Sequence, residues 1–417
     1  MKFYNHKYLL FTYLLLILVT LPSNLYSCTI FYLKGDSVNL AGNNEDWKDP
    51  EPFMWFYPPV NGKLGWVKFG WGSGFPQGGM NEKGLFWDAT SGPYLAMPIS
   101  EATKVKLSEP LMQKVIEECT SVEEAMKLFA SYYCEDQYKA QYLVGDAENH
   151  AMIVEGDSTL LMHEDHMILT NFYHSHPELG GYPCSRYETA SELISASTSF
   201  TPELAGTILA YTHQEGKYPT QYAQIYDLKK QMFYLFNHYN FEEYIPIYLS
   251  EELKKGARTF SIPELFAGIE LLLPDSGEQL PGSSIEFSWR GKAGYLYELH
   301  YSADPAFTES STTTITHLEA AGKVHPDLIL GATFLLLLLW IGRKRKQGIM
   351  AWGVFLFLVP MQCSREDPPE QVKTVLISET AAGLESGITY YWKIKAHPIH
   401  SDDFWSETVT SSFRTGD

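Results

Sequence analysis

The feature that most limits how this chain folds is a cysteine placed where an apolar leader ends and a strand begins. Lys2, His6 and Lys7 precede an apolar run from Tyr8 to Leu21, broken only by Thr12 and Thr20, and Pro22-Ser23-Asn24-Leu25-Tyr26-Ser27 leads into Cys28. Basic, apolar and small-residue segments in that order make a secretory signal. An apolar run of ~14 residues is shorter than the ~20 that span a bilayer, which weighs against a permanent anchor. Cleavage after Ser27 leaves Cys28 first. The following Thr29-Ile30-Phe31-Tyr32-Leu33 is rich in β-branched and aromatic residues, so the mature chain opens with a strand.

The 417 residues exceed the ~100–200 of a typical domain, and two folded units are expected. Residues 28–265 mix strand-like runs (Cys28–Leu33, Gln141–Val144, Ala151–Val154, Gln224–Tyr226, Met232–Phe236) with helical stretches. One helix is expected from near Ser108. A second starts near Ser121, where Ser121 and Glu124 have capping-box spacing, and a third opens at Thr201-Pro202 and runs to Tyr211.

From about Gly268 the texture changes. Ile285, Phe287 and Trp289 alternate to one face, as do Tyr390, Trp392, Ile394 and Ala396 before a last strand from Ser406 to Phe413. Residues 268–417 thus read as a small β-sandwich, and Tyr295–Leu299 with Gly387–Trp392 resemble a fibronectin type III domain. Within it, two apolar arms, Leu328–Ile341 and Gly348–Met361, flank Arg343-Lys344-Arg345-Lys346. This 328–361 segment reads as a membrane hairpin with its basic turn facing the cytoplasm. Arms of ~14 residues span only ~21 Å of a ~30 Å hydrocarbon core, so a buried helical pair stands as the alternative.

Charge and cysteine usage remove several functions. With 31 basic and 50 acidic residues, the formal net charge of -19 opposes nucleic acid or an anionic membrane surface, because both require a basic face. The five cysteines, Cys28, Cys119, Cys134, Cys184 and Cys363, are too irregular for a disulfide framework. A Cys119–Cys134 bridge stays open. No CxxC or Cys/His pairing points to zinc, and neither metal nor cofactor is expected.

A cysteine made N-terminal by cleavage carries its own base. Its thiol has a reference pKa of ~8.5 and its α-amine one of ~7.7–8.0, so the amine accepts the thiol proton near neutrality. Leu25-Tyr26-Ser27-Cys28 also resembles a lipoprotein cleavage box, and acylation there would remove both groups. Tyr26 is bulky for such a box, and a strand rather than a polar tether follows Cys28.

Cys28-Thr29-Ile30-Phe31, Gly42-Asn43-Asn44-Glu45-Asp46-Trp47, Gly79-Met80-Asn81-Glu82-Lys83-Gly84-Leu85, Tyr142–Ala147, Ile168–Asn171 and Ser185-Arg186-Tyr187 occur in the order found in choloylglycine hydrolases and penicillin V acylases, and this set resembles that family. The resemblance covers about residues 28–265. It implies an α+β fold, a four-layer αββα sandwich, and a metal-free amidase acting on a small-molecule N-acyl amide. It also implies site roles. Cys28 is the nucleophile, Asp46 lies by its amine, Asn171 supplies an oxyanion-hole amide, and Arg186 brings positive charge near the thiol. Asn43, Asn44 and Ser91 fall on the substrate side. Asn43 stands where bile-salt hydrolases carry arginine, and the family's asparagine after the Gly-Leu segment falls near Thr90 or Ser91, so a backbone N–H is the other candidate for that donor.

Phe53-Met54-Trp55-Phe56-Tyr57, Trp66, Phe69 and Trp71 suit either an acyl pocket or plain core strands. His174 and His176 are assigned no catalytic role. Acyl transfer to an amine, and an inactive surface-anchored binding protein, stand beside hydrolysis, and the sequence does not fix the oligomeric state.

Overall fold

The structure is a computed structural model that describes residues 28–92, 99, 102–138, 140–308, 310–316, 374–399, 404–408 and 410–416. The leader and the 328–361 hairpin lie outside the described residues. Among the described residues no helix is long and apolar enough to cross a membrane. The chain divides into two compact units, Met1–Phe266 and Ala267–Asp417.

The first unit begins with strands β1 (Thr29–Lys34), β2 (Asn39–Asp46), β3 (Phe53–Tyr57), β4 (Trp66–Gly70), β5 (Pro76–Asn81), β6 (Phe86–Ser91) and β7 (Val105–Lys106). Helices α1 (Leu111–Glu118) and α2 (Val122–Ser131) follow, then β8 (Tyr132–Tyr133), β9 (Ala140–Gly145), β10 (Ala151–Glu155), β11 (Ser158–Leu161) and β12 (His166–Leu169). Helices α3 (Ser185–Ala196) and α4 (Pro202–Thr212) precede β13 (Thr220–Asp227), β14 (Met232–Asn237), β15 (Asn240–Tyr248) and β16 (Arg258–Ser261). Short helices α5 (Leu249–Lys254) and α6 (Ile262–Leu265) flank β16.

Two large sheets organise these elements into a mixed α/β unit. One runs β12-β1-β2-β13-β14-β15 and the other β11-β10-β9-β6-β5-β4-β3-β16. The pairings within them are antiparallel. Each sheet buries one face under helices: Phe31, Leu33, Leu40 and Ile225 under α3 and α4, and Trp87, Tyr142, Val144 and Val154 under α1 and α2. The other faces meet through aromatic rings, with centroids 4.9 Å apart for Phe86–Tyr226 and 5.5 Å for Phe69–Phe233. Strand alternation makes this division, because successive residues point to opposite faces.

Local signals position the helices. Ser121 accepts from the Glu124 amide at 3.3 Å, and the Glu124 carboxylate accepts from the Thr120 amide at 2.7 Å. Thr201 caps α4 through the Leu204 amide at 3.3 Å. The helix expected from Ser108 begins instead at Leu111, because Pro110 is extended (ψ 127) and disfavours helical backbone at Glu109 before it. Cys119 and Cys134 are separate buried thiols, so no bridge joins them.

Several resemblance motifs build scaffold. Asn81 donates to Ile116 O (2.9 Å) and Cys119 O (2.8 Å) while accepting from the Lys83 and Leu85 amides. Asp146 accepts from Val122 N at the start of α2 and from the Glu148 and His150 amides. Gly84 has φ +77, and a Cβ there would lie 2.3 Å from Leu228 O.

The second unit is all β. Strands β17 (Glu270–Leu273), β19 (Ser284–Lys292) and β22 (Thr374–Ala382) form one sheet. In the other, β20 (Tyr295–Ser302) lies between β21 (Ser311–Thr316) and β23 (Thr389–Pro398). β23 also pairs with β24 (Ser406–Thr408) and β25 (Ser411–Thr415), and β25 pairs in parallel with β18 (Glu278–Leu280). Phe287, Trp289, Tyr297, Trp392, Ile394 and Phe413 share the core. The last expected strand, 406–413, is divided into β24 and β25.

Candidate active site

The chain enters β1 from Cys28, on the wall of a cleft of about 1020 Å³ that is also lined by Glu45, Asp46, Trp71, Thr90 and Ser91. Register determines its neighbours. β1 pairs with β2 as Thr29↔Asn44 and Ile30↔Asn43, and with β12 as Ile30↔Leu169. Continuing both ladders toward Cys28 sets Glu45 on one side of it and Asn171 on the other. The contacts agree. The Cys28 thiol donates to Glu45 Oε2 over 3.6 Å. Arg186, in the first turn of α3, donates through Nη1 to Cys28 O (2.6 Å) and Thr29 Oγ1 (2.8 Å), and through Nη2 to Asn171 Oδ1 (3.1 Å).

Asn43, Asn44, Glu45 and Asp46 are all buried, an unusual run of polar residues in one strand. Alternation separates them. Asn43 lies with Glu45, its Nδ2 3.5 Å from Glu45 Oε1. Asn44 points to the helical side, where Nδ2 donates to Leu209 O (2.9 Å) and Thr212 Oγ1 (3.2 Å) of α4. Asn44 therefore ties β2 to α4, while the cleft wall is drawn from its neighbours Glu45 and Asp46; successive residues in a strand turn their side chains to opposite faces. Asp46 accepts from Thr220 Oγ1 (2.5 Å) and Gln214 Nε2 (2.6 Å).

Asp88, from β6 of the opposing sheet, is 1% exposed and titrates together with the Glu45 carboxyl. Burial pushes both above the ordinary carboxylate range; Glu45 raises Asp88 further, whereas Glu45 is drawn down by Asp88 and raised by the charge of Asp46, so the pair retains a proton. Burial, then the charges of Glu45 and Asp46, pushes the Cys28 thiol up; a hydrogen bond from the Asp46 backbone works the other way. Burial pushes Asp46 up to about 7 against the opposing effects of Thr220, Arg186 and Gln214.

Asn171 is held in one orientation. Guanidinium has only donors, so Oδ1 must face Arg186, and Nδ2 then donates to Thr90 Oγ1 (2.6 Å) and Ser91 O (2.9 Å). Its amide protons are thus engaged, and Asn171 stands behind Thr90 and Ser91, which line the cleft. Arg186 likewise fixes the Cys28 carbonyl and the Asn171 amide. The loop after Asn171 is anchored by buried Glu155, which accepts from the His174 amide (2.7 Å), the Ser175 amide (3.0 Å) and the Ser175 hydroxyl (2.5 Å).

Of the aromatic run considered for an acyl pocket, only Trp71 lines the cleft. Trp66 is in the α1/α2 core, and Phe69 packs between the sheets against Tyr222 (5.9 Å). The cleft draws its other large apolar groups from Trp47, Phe75, Trp87, Met112 and Tyr142. Among the described residues no cluster of three or more His, Cys, Asp or Glu is arranged to hold a metal ion.

Glu45 and Asp88 were not singled out from sequence. Their signal was present: Glu45 lies in a polar run continuing a strand, and Asp88 interrupts Phe86-Trp87-Asp88-Ala89. A thiol, the Glu45 carboxyl and the Thr90 and Ser91 hydroxyls on one largely apolar cleft are groups that acyl transfer can use.

No protein-family model and no curated protein matches the chain. Among solved structures, a variant of conjugated bile acid hydrolase from Clostridium perfringens is 17% identical with a TM-score of 0.47, over 56% of this chain and 97% of that one. A second mutant of that hydrolase is 17% identical with a TM-score of 0.46, over 56% and 96%. Penicillin V acylase from Agrobacterium tumefaciens is 17% identical with a TM-score of 0.43, over 50% of this chain and 83% of that one.

Proposed function

We propose that this chain is an exported cysteine amidase of the four-layer αββα N-terminal-nucleophile type, cleaving linear amides of N-acyl compounds such as conjugated bile acids or penicillin-like amides. The observation that carries the reading is the Cys28 thiol at the start of β1, on an apolar cleft, flanked by Glu45 and the Arg186–Asn171 pair.

Cys28 Sγ attacks the amide carbonyl carbon, and its proton passes to the α-amine freed by loss of residues 1–27. The C–N bond breaks, the leaving amine takes that proton, and a thioester remains. Water then adds to the thioester carbonyl, giving the carboxylic acid and restoring the thiol. Processing matters electrostatically as well as chemically. Burial and carboxylates hold the unprocessed thiol protonated, and a cation formed at its own α-nitrogen opposes both effects.

In the same reading the protein acts in the periplasm or at the cell surface, segment 328–361 associates with the membrane, and residues 268–417 form a fibronectin type III-like module. The test is to sequence the N-terminus of exported protein and assay it with a glycine-conjugated bile acid and penicillin V. A free Cys28 terminus with turnover that Cys28→Ser abolishes supports the proposal. A blocked, lipid-bearing terminus, or turnover unaffected by Cys28→Ser, overturns it.

A further inference from the structure

We propose that the Thr90 hydroxyl donates to the developing oxyanion and that Arg186, through Asn171, orients and polarises it; this rests on the amide-cleaving reading of Cys28. Thr90 is 4% exposed and shares the cleft wall with Cys28. The direction of each hydrogen bond behind it follows from donor chemistry. Arg186 Nη2 donates to Asn171 Oδ1 at 3.1 Å, which places Nδ2 on the far side of the amide. One Nδ2 proton meets Ser91 O at 2.9 Å, a carbonyl that only accepts, and the other meets Thr90 Oγ1 at 2.6 Å. Thr90 is therefore an acceptor from Asn171, and its own proton must point elsewhere. Asn171 is the hydrogen-bond partner of that hydroxyl among the described residues, and the open direction belongs to the cleft.

The same guanidinium holds Cys28 O at 2.6 Å, so one rigid group sets both the nucleophile and the donor chain. A chain of hydrogen bonds from a permanent cation polarises each successive donor, and a neutral hydroxyl at its end suits an oxygen that becomes negative only in the transition state. The step needs no proton transfer from Thr90. Its O–H strengthens a hydrogen bond to the tetrahedral oxygen, and releases it when the C–N bond breaks and the carbonyl reforms. Thr90 is thus a catalytic residue in this account, while Asn171 and Arg186 are positioning residues.

The experiment compares Thr90→Val, which keeps the shape and removes the hydroxyl, with Thr90→Ser, which keeps the hydroxyl, in processed full-length protein. Substrates are penicillin V and a glycine-conjugated bile acid, and the inhibitor is the aldehyde of the acyl group turned over, which forms a hemithioacetal on Cys28. The expected result is a ~10²–10³-fold loss of kcat in Thr90→Val with KM little changed, a parallel loss of aldehyde affinity, and turnover largely retained in Thr90→Ser. Labelling of Cys28 by iodoacetamide in all three reports an intact site. Wild-type kcat in Thr90→Val, or equal losses in both variants, overturns the assignment. Wild-type protein that neither turns over nor labels at Cys28 overturns the amide-cleaving reading first, and this inference with it.

Discussion

The Cys28 thiol and the Glu45 carboxylate are hydrogen-bonded across adjacent strands, 3.6 Å apart and both buried. Replacing Glu45 by Gln keeps the shape and removes a negative charge that opposes thiolate formation. The pH dependence of Cys28 alkylation should therefore shift down by about one unit in Glu45→Gln. Asp88→Asn should act in the same direction, and the double variant should fall short of the sum because the two carboxyls already hold a proton between them. A profile unchanged in both single variants would remove the carboxyl pair from the account of the thiol.

Asp46 makes stability depend on pH in a defined direction. Its carboxyl is pushed from 3.8 up to about 7 in the folded chain that still carries residues 1–27, so between those values the folded state binds more protons than the unfolded one. The Asp46 contribution to stability must then fall as pH rises from about 4 to about 7 and flatten above, where the raised Glu45–Asp88 pair continues the decline. Thermal melts of the unprocessed chain should show this slope, reduced in Asp46→Asn. Processing should reduce it too, because an α-ammonium at Cys28 draws Asp46 back down. Melting temperatures that rise with pH in that window would contradict the assignment.

Arg186→Lys keeps the charge and loses the fork. One ammonium cannot hold Cys28 O, Thr29 Oγ1 and Asn171 Oδ1 in the geometry that Arg186 does. Turnover should fall about 10²-fold through misplacement of nucleophile and donor. Alkylation of Cys28 should continue, since the thiol itself remains. Near wild-type kcat in this variant would show that the fork is dispensable.

Gly84 belongs to a motif that resembles an enzyme signature but serves the fold. Alanine there must adopt φ +77 with a Cβ 2.3 Å from Leu228 O. The strained backbone alone costs about 1–3 kcal/mol, and the contact adds to it. Urea unfolding should show that loss in Gly84→Ala, with turnover per folded molecule retained.

The strand after Cys28, the Ser121 and Thr201 caps and the alternating apolar faces around Phe287 and Trp392 were legible because each is a local pattern. The convergence of Cys28, Asn171 and Arg186 was legible only through resemblance, since residues 158 positions apart carry no shared local signal. The partner of Glu45 was not legible. Asp88 reaches it from another sheet, and an acid read singly belongs to the surface until the opposing strand is placed. The different partners of Asn43 and Asn44 were hidden by their shared motif, because adjacent strand residues face opposite ways. Asn171 was expected to supply an oxyanion-hole amide; its hydrogen bonds to Arg186, Thr90 and Ser91 were not legible, because those partners come from a distant strand and a helix.

An acyl group carried on Cys28 is directly observable. Processed protein mixed with penicillin V or a glycine-conjugated bile acid, quenched in acid within one turnover and digested, tests for it by mass spectrometry. The expected product is a peptide beginning at Cys28 that bears the acyl mass as a hydroxylamine-sensitive thioester. An acyl group found on another residue, or turnover with Cys28 unmodified throughout, would contradict Cys28 as the nucleophile.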